Sequence, residues 1–170
     1  MISPFSISVA LAMTYNGASE ETKTEIEKTL NLYGLTAEEI NKSYEMLIAA
    51  LQLLDKDVEL KIANAIYYSD NFSVKSDFLK TNKEYYDAEV EKLNFSSPSA
   101  VKTINTWVAE KTNNKIRKII ENLSPNDKMI LLNAIYFNGI WSTKFDENGT
   151  TNRNFKKRDE TNLEIPMMTK

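Results

Sequence analysis

The chain contains no cysteine and no histidine. Without cysteine there is no disulfide, no thiolate nucleophile and no cysteine-held zinc, and because either redox environment tolerates that absence the compartment stays open. Without histidine the usual general base of hydrolases and the commonest metal ligand are missing, so an enzyme here would have to work with carboxylates, lysine or tyrosine alone. Glycine and proline are scarce, four of each, which leaves little room for a disordered linker. No apolar run approaches the roughly 20 residues that cross a bilayer. The opening Met1-Ile2-Ser3-Pro4-Phe5 lacks the charged start and small-residue cleavage site of a signal peptide. Neither sign of charge dominates: 21 Lys and Arg stand against 24 Asp and Glu, for a net charge of −3. They are interspersed and form no basic stripe for a phosphate backbone, so neither nucleic acid nor a membrane is an expected partner.

What is present is an ordinary globular composition, 42% hydrophobic and 26% charged over 170 residues, enough for one cooperative unit or part of one. Ser3 is placed to cap a helix with Pro4 at its first position, and an apolar stretch runs to Tyr15 before Gly17 stops it. That helix is apolar on nearly all sides and is expected deep inside something larger. Ser19 is placed to cap a second helix from Glu20, with Ile26 and Leu30 as its apolar edge. Thr36 and Glu39 form a capping box for a third, whose stripe is Ile40, Tyr44, Leu47, Ile48, Leu51 and Leu54. From Val58 to Tyr68 the period changes to two, putting Val58, Leu60, Ile62, Asn64, Ile66 and Tyr68 on one face of a long strand. A helix from about Lys75 to Tyr86, a strand from Ala88 to Leu93 and a Ser97-Pro98 helix ending near Asn113-Asn114 follow. Met129 to Trp141 reads as a second long strand, apolar on both faces and therefore central. Beyond Gly149 the chain turns polar and offers only short strand candidates such as Asn162 to Met167.

Asn64-Ala65-Ile66-Tyr67-Tyr68 echoes Asn133-Ala134-Ile135-Tyr136-Phe137. The flanks do not match, so two neighbouring strands of one sheet explain the echo better than a duplicated domain. The asparagine in each copy lies on an otherwise apolar face, where a buried amide must find hydrogen-bond partners. No nucleophile has a base: Ser3 and Ser6 lack any histidine, and there is no S-x-x-K or G-x-S-x-G arrangement. The carboxylate pairs Glu20-Glu21 and Glu38-Glu39 fall in first helical turns, where they complement the helix dipole. Lys156-Lys157-Arg158 is too short a basic run to imply an anionic ligand. The sequons at Asn71-Phe72-Ser73 and Asn148-Gly149-Thr150 occur at chance level.

In order along the chain, the residues resemble one family. Ser3-Pro4-Phe5-Ser6-Ile7 with Gly17-Ala18, Thr22, Glu25 and Ile26 resembles the start and exit of the central buried helix of serpins. Asn64-Ala65-Ile66-Tyr67 is similar to the second strand of their main sheet. Ile104-Asn105-Thr106-Trp107-Val108 with Thr112 and Lys115-Ile116 resembles the helix that crosses that sheet. Asn133 to Phe137 with Gly139, Trp141 and Phe145 is similar to the third strand and its exit, and Ile165-Pro166-Met167-Met168 to the start of a later strand. Two departures stand out: Glu20 where the family often has glycine, and Asn114 in place of the glycine before Lys115-Ile116. Asparagine tolerates a left-handed cap nearly as well as glycine.

The resemblance implies an α+β, serpin-like fold, helices on a large mostly antiparallel sheet, with residues 1–170 the N-terminal part of a single domain without internal boundary. It implies that this portion is incomplete without the C-terminal one, since nothing after Lys170 supplies the fifth strand, hinge, reactive loop and last buried strands. By the same resemblance Ser3, Ser6 and Asn133 belong to the shutter, the polar cluster beneath the point where the sheet parts, and Trp141 is the breach aromatic where insertion begins. No catalytic, cofactor-binding or metal residue follows. The implied partners are a serine protease, met through a reactive loop, and a complementing C-terminal portion or a second copy of the chain. Three readings compete: an inhibitor fragment that is not inhibitory alone, a non-inhibitory structural or binding relative, and, weakest, an enzyme. Localisation is left open, the extracellular space among the compartments the resemblance allows.

Overall fold

The Ser3 hydroxyl accepts from the Ser6 amide at 3.2 Å and Pro4 fills the first position of α1 (Pro4–Tyr15), as their sequence positions foretell. The chain is described here from a computed structural model, covering residues 3–53 and 55–169. The remaining elements are α2 (Glu20–Thr29), α3 (Ala37–Gln52), β1 (Val58–Ser69), α4 (Ser76–Tyr86), β2 (Glu89–Leu93), α5 (Pro98–Lys111), β3 (Met129–Gly139), β4 (Asp146–Lys156) and β5 (Asn162–Thr169). The described residues fall into two compact units, divided between Asn138 and Gly139.

In the first unit a three-stranded sheet has the order β2-β1-β3. β1 and β2 run parallel, in register from Ala65 with Glu89 to Ser69 with Leu93, and α4 makes the crossover that a parallel pair requires. β3 lies antiparallel to β1: Asn133 meets Asn64, whereas Lys128, five residues earlier, accepts from the Ser69 amide at 3.0 Å. The period-two alternation of β1 sorts its side chains between two layers. Ala65 and Tyr67, with Leu132 and Ala134 of β3, pack under Ala100, Ile104, Trp107 and Val108 of α5. Ile66, on the other face, packs with Val9, Ala12 and Met13 of α1 and with Tyr86 of α4. The sheet is thus covered on both sides, and full burial of Ala65, Ile66 and Tyr67 in succession follows.

The second unit is an antiparallel β4–β5 ladder, in register from Thr151 with Met167 to Lys156 with Asn162, with an irregularity between Asp146 and Thr151.

Some expectations hold and others are corrected. Within the described residues α1 is covered on one side, by the sheet, α3 and α4: Val9, Ala12 and Met13 are inaccessible and Ile7 is 54% exposed. In α3 the capping box forms, with Glu39 Oε2 accepting from the Thr36 amide at 2.8 Å and the Glu39 amide donating to the Thr36 hydroxyl at 3.2 Å. Of its stripe, Ile40 is buried and Tyr44, Ile48 and Leu51 are half-buried, Leu47 is exposed, and Leu54 lies outside the described residues. Ser19 occupies the cap position of α2 but its hydroxyl makes no capping bond, since Glu20 is left-handed at φ 50°. α5 ends at Lys111, near Asn113-Asn114 as expected, and both asparagines are left-handed, at φ 47° and 59°. β3 ends at Gly139, so Trp141 is not in that strand. The eleven-residue β4 begins before Gly149 in sequence too polar to show alternation, and it is exposed almost throughout; a two-stranded ladder held by backbone pairing has no buried face to pattern.

Candidate functional site

Ser3, Ser6, Asn133 and Asn64 are brought together where α1 begins, beneath the β1–β3 pair. The Ser6 hydroxyl donates to Asn133 Oδ1, joining residues 127 apart in sequence. Asn133 Nδ2 donates to Asn64 Oδ1 at 2.8 Å, and Asn64 Nδ2 donates to the Tyr86 carbonyl at 2.8 Å. Ser3 acts one step back, its hydroxyl holding the Ser6 amide. Ser6 and Asn64 are buried and Asn133 is half-buried. Each amide therefore gives one bond and takes another, which is what a polar group in an apolar layer requires. Asn64, flagged by the sequence echo, completes the node that the resemblance traced only through the serines and Asn133.

The node has no group that titrates in the neutral range. Two tyrosines near the sheet are strongly perturbed: burial pushes the Tyr86 phenol up, and burial reinforced by the charges of Glu89, Glu91 and Glu110 pushes Tyr67 up. Tyr67 meets Trp107 edge-on at 6.3 Å between ring centres, and Trp107 Nε1 donates to Glu89 Oε2 at 2.9 Å. Asn105 ties the segment after α5 back to the helix, its Oδ1 accepting from the Ile119 amide at 2.8 Å and its Nδ2 donating to the Ile120 carbonyl at 2.9 Å. Among the described residues no cluster of three acidic side chains arranged for a metal ion occurs, and no helix is long and apolar enough to cross a membrane.

Trp141 falls in the second unit, between β3 and β4. The residue is 73% exposed, and its ring meets that of Phe145 edge-on at 6.2 Å.

A helix capped by serine and hydrogen-bonded to paired asparagines on adjacent antiparallel strands, with a second helix across the opposite face, defines an α+β protein whose polar core is an interlock between layers. That description has a family. The sequence matches the serpin (serine protease inhibitor) family over residues 1–170, and the chain belongs to it. It is 34% identical to Serpin A3-3 of Bos taurus over 172 residues, covering 99% of this chain and 42% of that one. Tengpin, a thermophilic serpin solved in its latent state, superimposes with a TM-score of 0.87 at 35% identity, covering 98% of this chain and 45% of that one. Thyroxine-binding globulin in complex with thyroxine is similar too, with a TM-score of 0.81 at 36% identity, covering 98% and 47% of the respective chains. The chain thus spans less than half the length of these relatives. The family takes its name from the inhibition of serine proteases.

Proposed function

We propose that this chain is the N-terminal portion of an inhibitor of serine-type endopeptidases that works as a suicide substrate. In the mechanism the family implies, a protease cleaves an exposed loop, the loop inserts between the third and fifth strands of the main sheet, and the trapped protease is distorted. The observation that carries the reading is the node: Ser6, Asn133 and Asn64 hydrogen-bond α1 to both strands of the β1–β3 pair. A sheet that must part to accept a new strand needs such a contact, because breaking and remaking a few buried hydrogen bonds switches between two packed states, whereas an apolar seam only loosens. In this reading Ser3, Ser6 and Asn133 are shutter residues and Trp141 is the breach aromatic. β3 is one of the two outer strands of the described order β2-β1-β3, and in this reading it is the strand beside which insertion takes place.

Nothing in residues 1–170 resembles the reactive loop, so this portion alone is not inhibitory. It acts once a second polypeptide adds strands beside β3 and covers apolar groups such as Ile7, 54% exposed, and Phe137, 52% exposed. That polypeptide is the remaining serpin portion or another copy of the chain. Thyroxine-binding globulin, similar at 36% identity and solved with thyroxine, favours a second reading, a non-inhibitory binding relative. Incubation with trypsin-like, chymotrypsin-like and subtilisin-like proteases separates them. The chain alone should give no denaturant-resistant complex on a gel, and the chain joined to its C-terminal portion should give one. A covalent adduct with the 170-residue chain refutes the first statement, and intact, uncomplexed protein in every arm supports the binding reading. Light scattering checks the association: a compact 19.5 kDa monomer that melts cooperatively on its own would show that β3 needs no added neighbour.

A further inference from the structure

Tyr86 is held at both ends. Its carbonyl accepts from Asn64 in the node, and its hydroxyl donates to Asn41 Oδ1 on α3 at 2.7 Å. Asn41 in turn forms a reciprocal amide pair with Asn16 at the end of α1: Asn41 Nδ2 donates to Asn16 Oδ1 at 3.0 Å, and Asn16 Nδ2 donates to Asn41 Oδ1 at 2.9 Å. Asn16 Nδ2 also reaches the Ala12 carbonyl at 3.2 Å, anchoring the pair on the last turn of α1. Asn41 and Tyr86 are 4% and 1% exposed. One relay thus runs from the first turn of α1, across two strands, through α4 and α3, and back to the last turn of the same helix.

Packing alone does not call for it. A pair of facing leucines would serve the apolar layer formed by Tyr44, Ile48 and Val9 at least as well, since replacing both partners of a buried polar pair by apolar groups is often neutral or stabilising. What a fully satisfied buried network supplies is a single arrangement, with its members coupled. We propose that Tyr86, fixed by Asn41 and Asn16, is a positioning residue for the node: it sets where Asn64 sits, and through Asn64 where Asn133 sits. Loosening α3 from the end of α1 and separating β1 from β3 are then one coupled event. The relay does not depend on whether the protein inhibits a protease.

Hydrogen–deuterium exchange on the chain joined to its C-terminal portion tests it. Tyr86→Phe removes the hydroxyl but keeps the ring, which lies 5.9 Å from that of Tyr44. Amides of β1 around Asn64 to Ile66 and of β3 around Leu132 to Ala134 should exchange several-fold faster, along with those of α3. Combined with Asn133→Leu, the effect should depart from the product of the two single effects by more than about twofold, the usual limit for independent sites. Ile40→Val, which trims α3 packing and leaves every relay hydrogen bond intact, should speed α3 and leave the β1 and β3 amides unchanged. Asn41→Leu should act as Tyr86→Phe does, and Tyr86→Phe decides if that variant does not fold. Faster exchange confined to α3 and α4, a uniform increase over all elements, multiplicative double mutants, or an equal response of β1 and β3 to Ile40→Val would each overturn the proposal.

Discussion

Asn133→Leu is the most direct perturbation of the node. It removes the acceptor of the Ser6 hydroxyl and the donor to Asn64 Oδ1, and those two residues are 7% and 2% exposed. A buried polar group left without a partner costs about 1–3 kcal/mol, so two of them cost about 2–6 kcal/mol. The serine hydroxyl can turn back to a carbonyl of the preceding turn, which relieves part of its share. The introduced leucine gains little, because position 133 is only half-buried. The expected loss is therefore about 2–4 kcal/mol. Urea unfolding of the chain joined to its C-terminal portion, followed by tryptophan fluorescence, reads it: with a slope of about 2 kcal/mol per molar, the midpoint falls by about 1–2 M. Asn138→Leu is the control, an exposed asparagine on the same strand, where a change within about 0.5 kcal/mol is expected. If Asn133→Leu shifts the midpoint no further than Asn138→Leu, the node is decoration on a sheet that apolar packing already holds.

Glu20 carries a left-handed backbone, φ 50°, which costs a residue with a Cβ about 1–2 kcal/mol; Glu20→Gly should raise stability by about 1 kcal/mol by thermal or urea unfolding, and an unchanged or lowered midpoint would show that the acidic first turn of α2 outweighs the strain. At alkaline pH the two buried phenols set the trend. Tyr67 and Tyr86 titrate above their ordinary value when folded. Below about pH 10 both states keep these protons and stability is level; above it the unfolded chain releases them first, so stability should fall by about 1.4 kcal/mol per pH unit for each tyrosine. Urea midpoints near pH 9 and pH 11, with phenolate absorbance on the folded protein, check the sign, and a level midpoint would mean that both phenols ionise normally.

Local chemistry was legible wherever a short pattern has one structural meaning. Ser3-Pro4, the Thr36–Glu39 box and the two-residue period from Val58 each specify their element through hydrogen bonds or faces a few residues apart. The echo at Asn64 and Asn133 pointed to neighbouring strands and to two hydrogen-bonded amides, one buried and one half-buried, for the same reason: an asparagine on an apolar face has to be answered. Its answering partners were less accessible. Asn16 and Asn41, 25 residues apart, and Asn41 and Tyr86, 45 apart, are ordinary helix residues until the helices pack, and no spacing rule joins them. Ser6 reached the site through family resemblance, since a serine in a first helical turn is otherwise explained by local capping. β4 escaped because its residues have no apolar face, and Trp141 fell beyond the strand assigned to it because apolar content continues past Gly139 while strand pairing does not.

The long reach of the Ser6–Asn133 contact bears on how the chain is made. Residues 4–93 hold α1 to α4 and the parallel β1–β2 pair, so the helical layer and two strands can associate while the rest is still being synthesised. Asn133 arrives 127 residues after Ser6, on the order of 6–25 s later at common rates of elongation. Throughout that interval the serine hydroxyl and the sheet-facing side of α1 wait without their strand, open to chaperones or to the β3 segment of a neighbouring nascent chain. The bond that locks the helix to its own sheet is thus the one most exposed to being made with the wrong molecule.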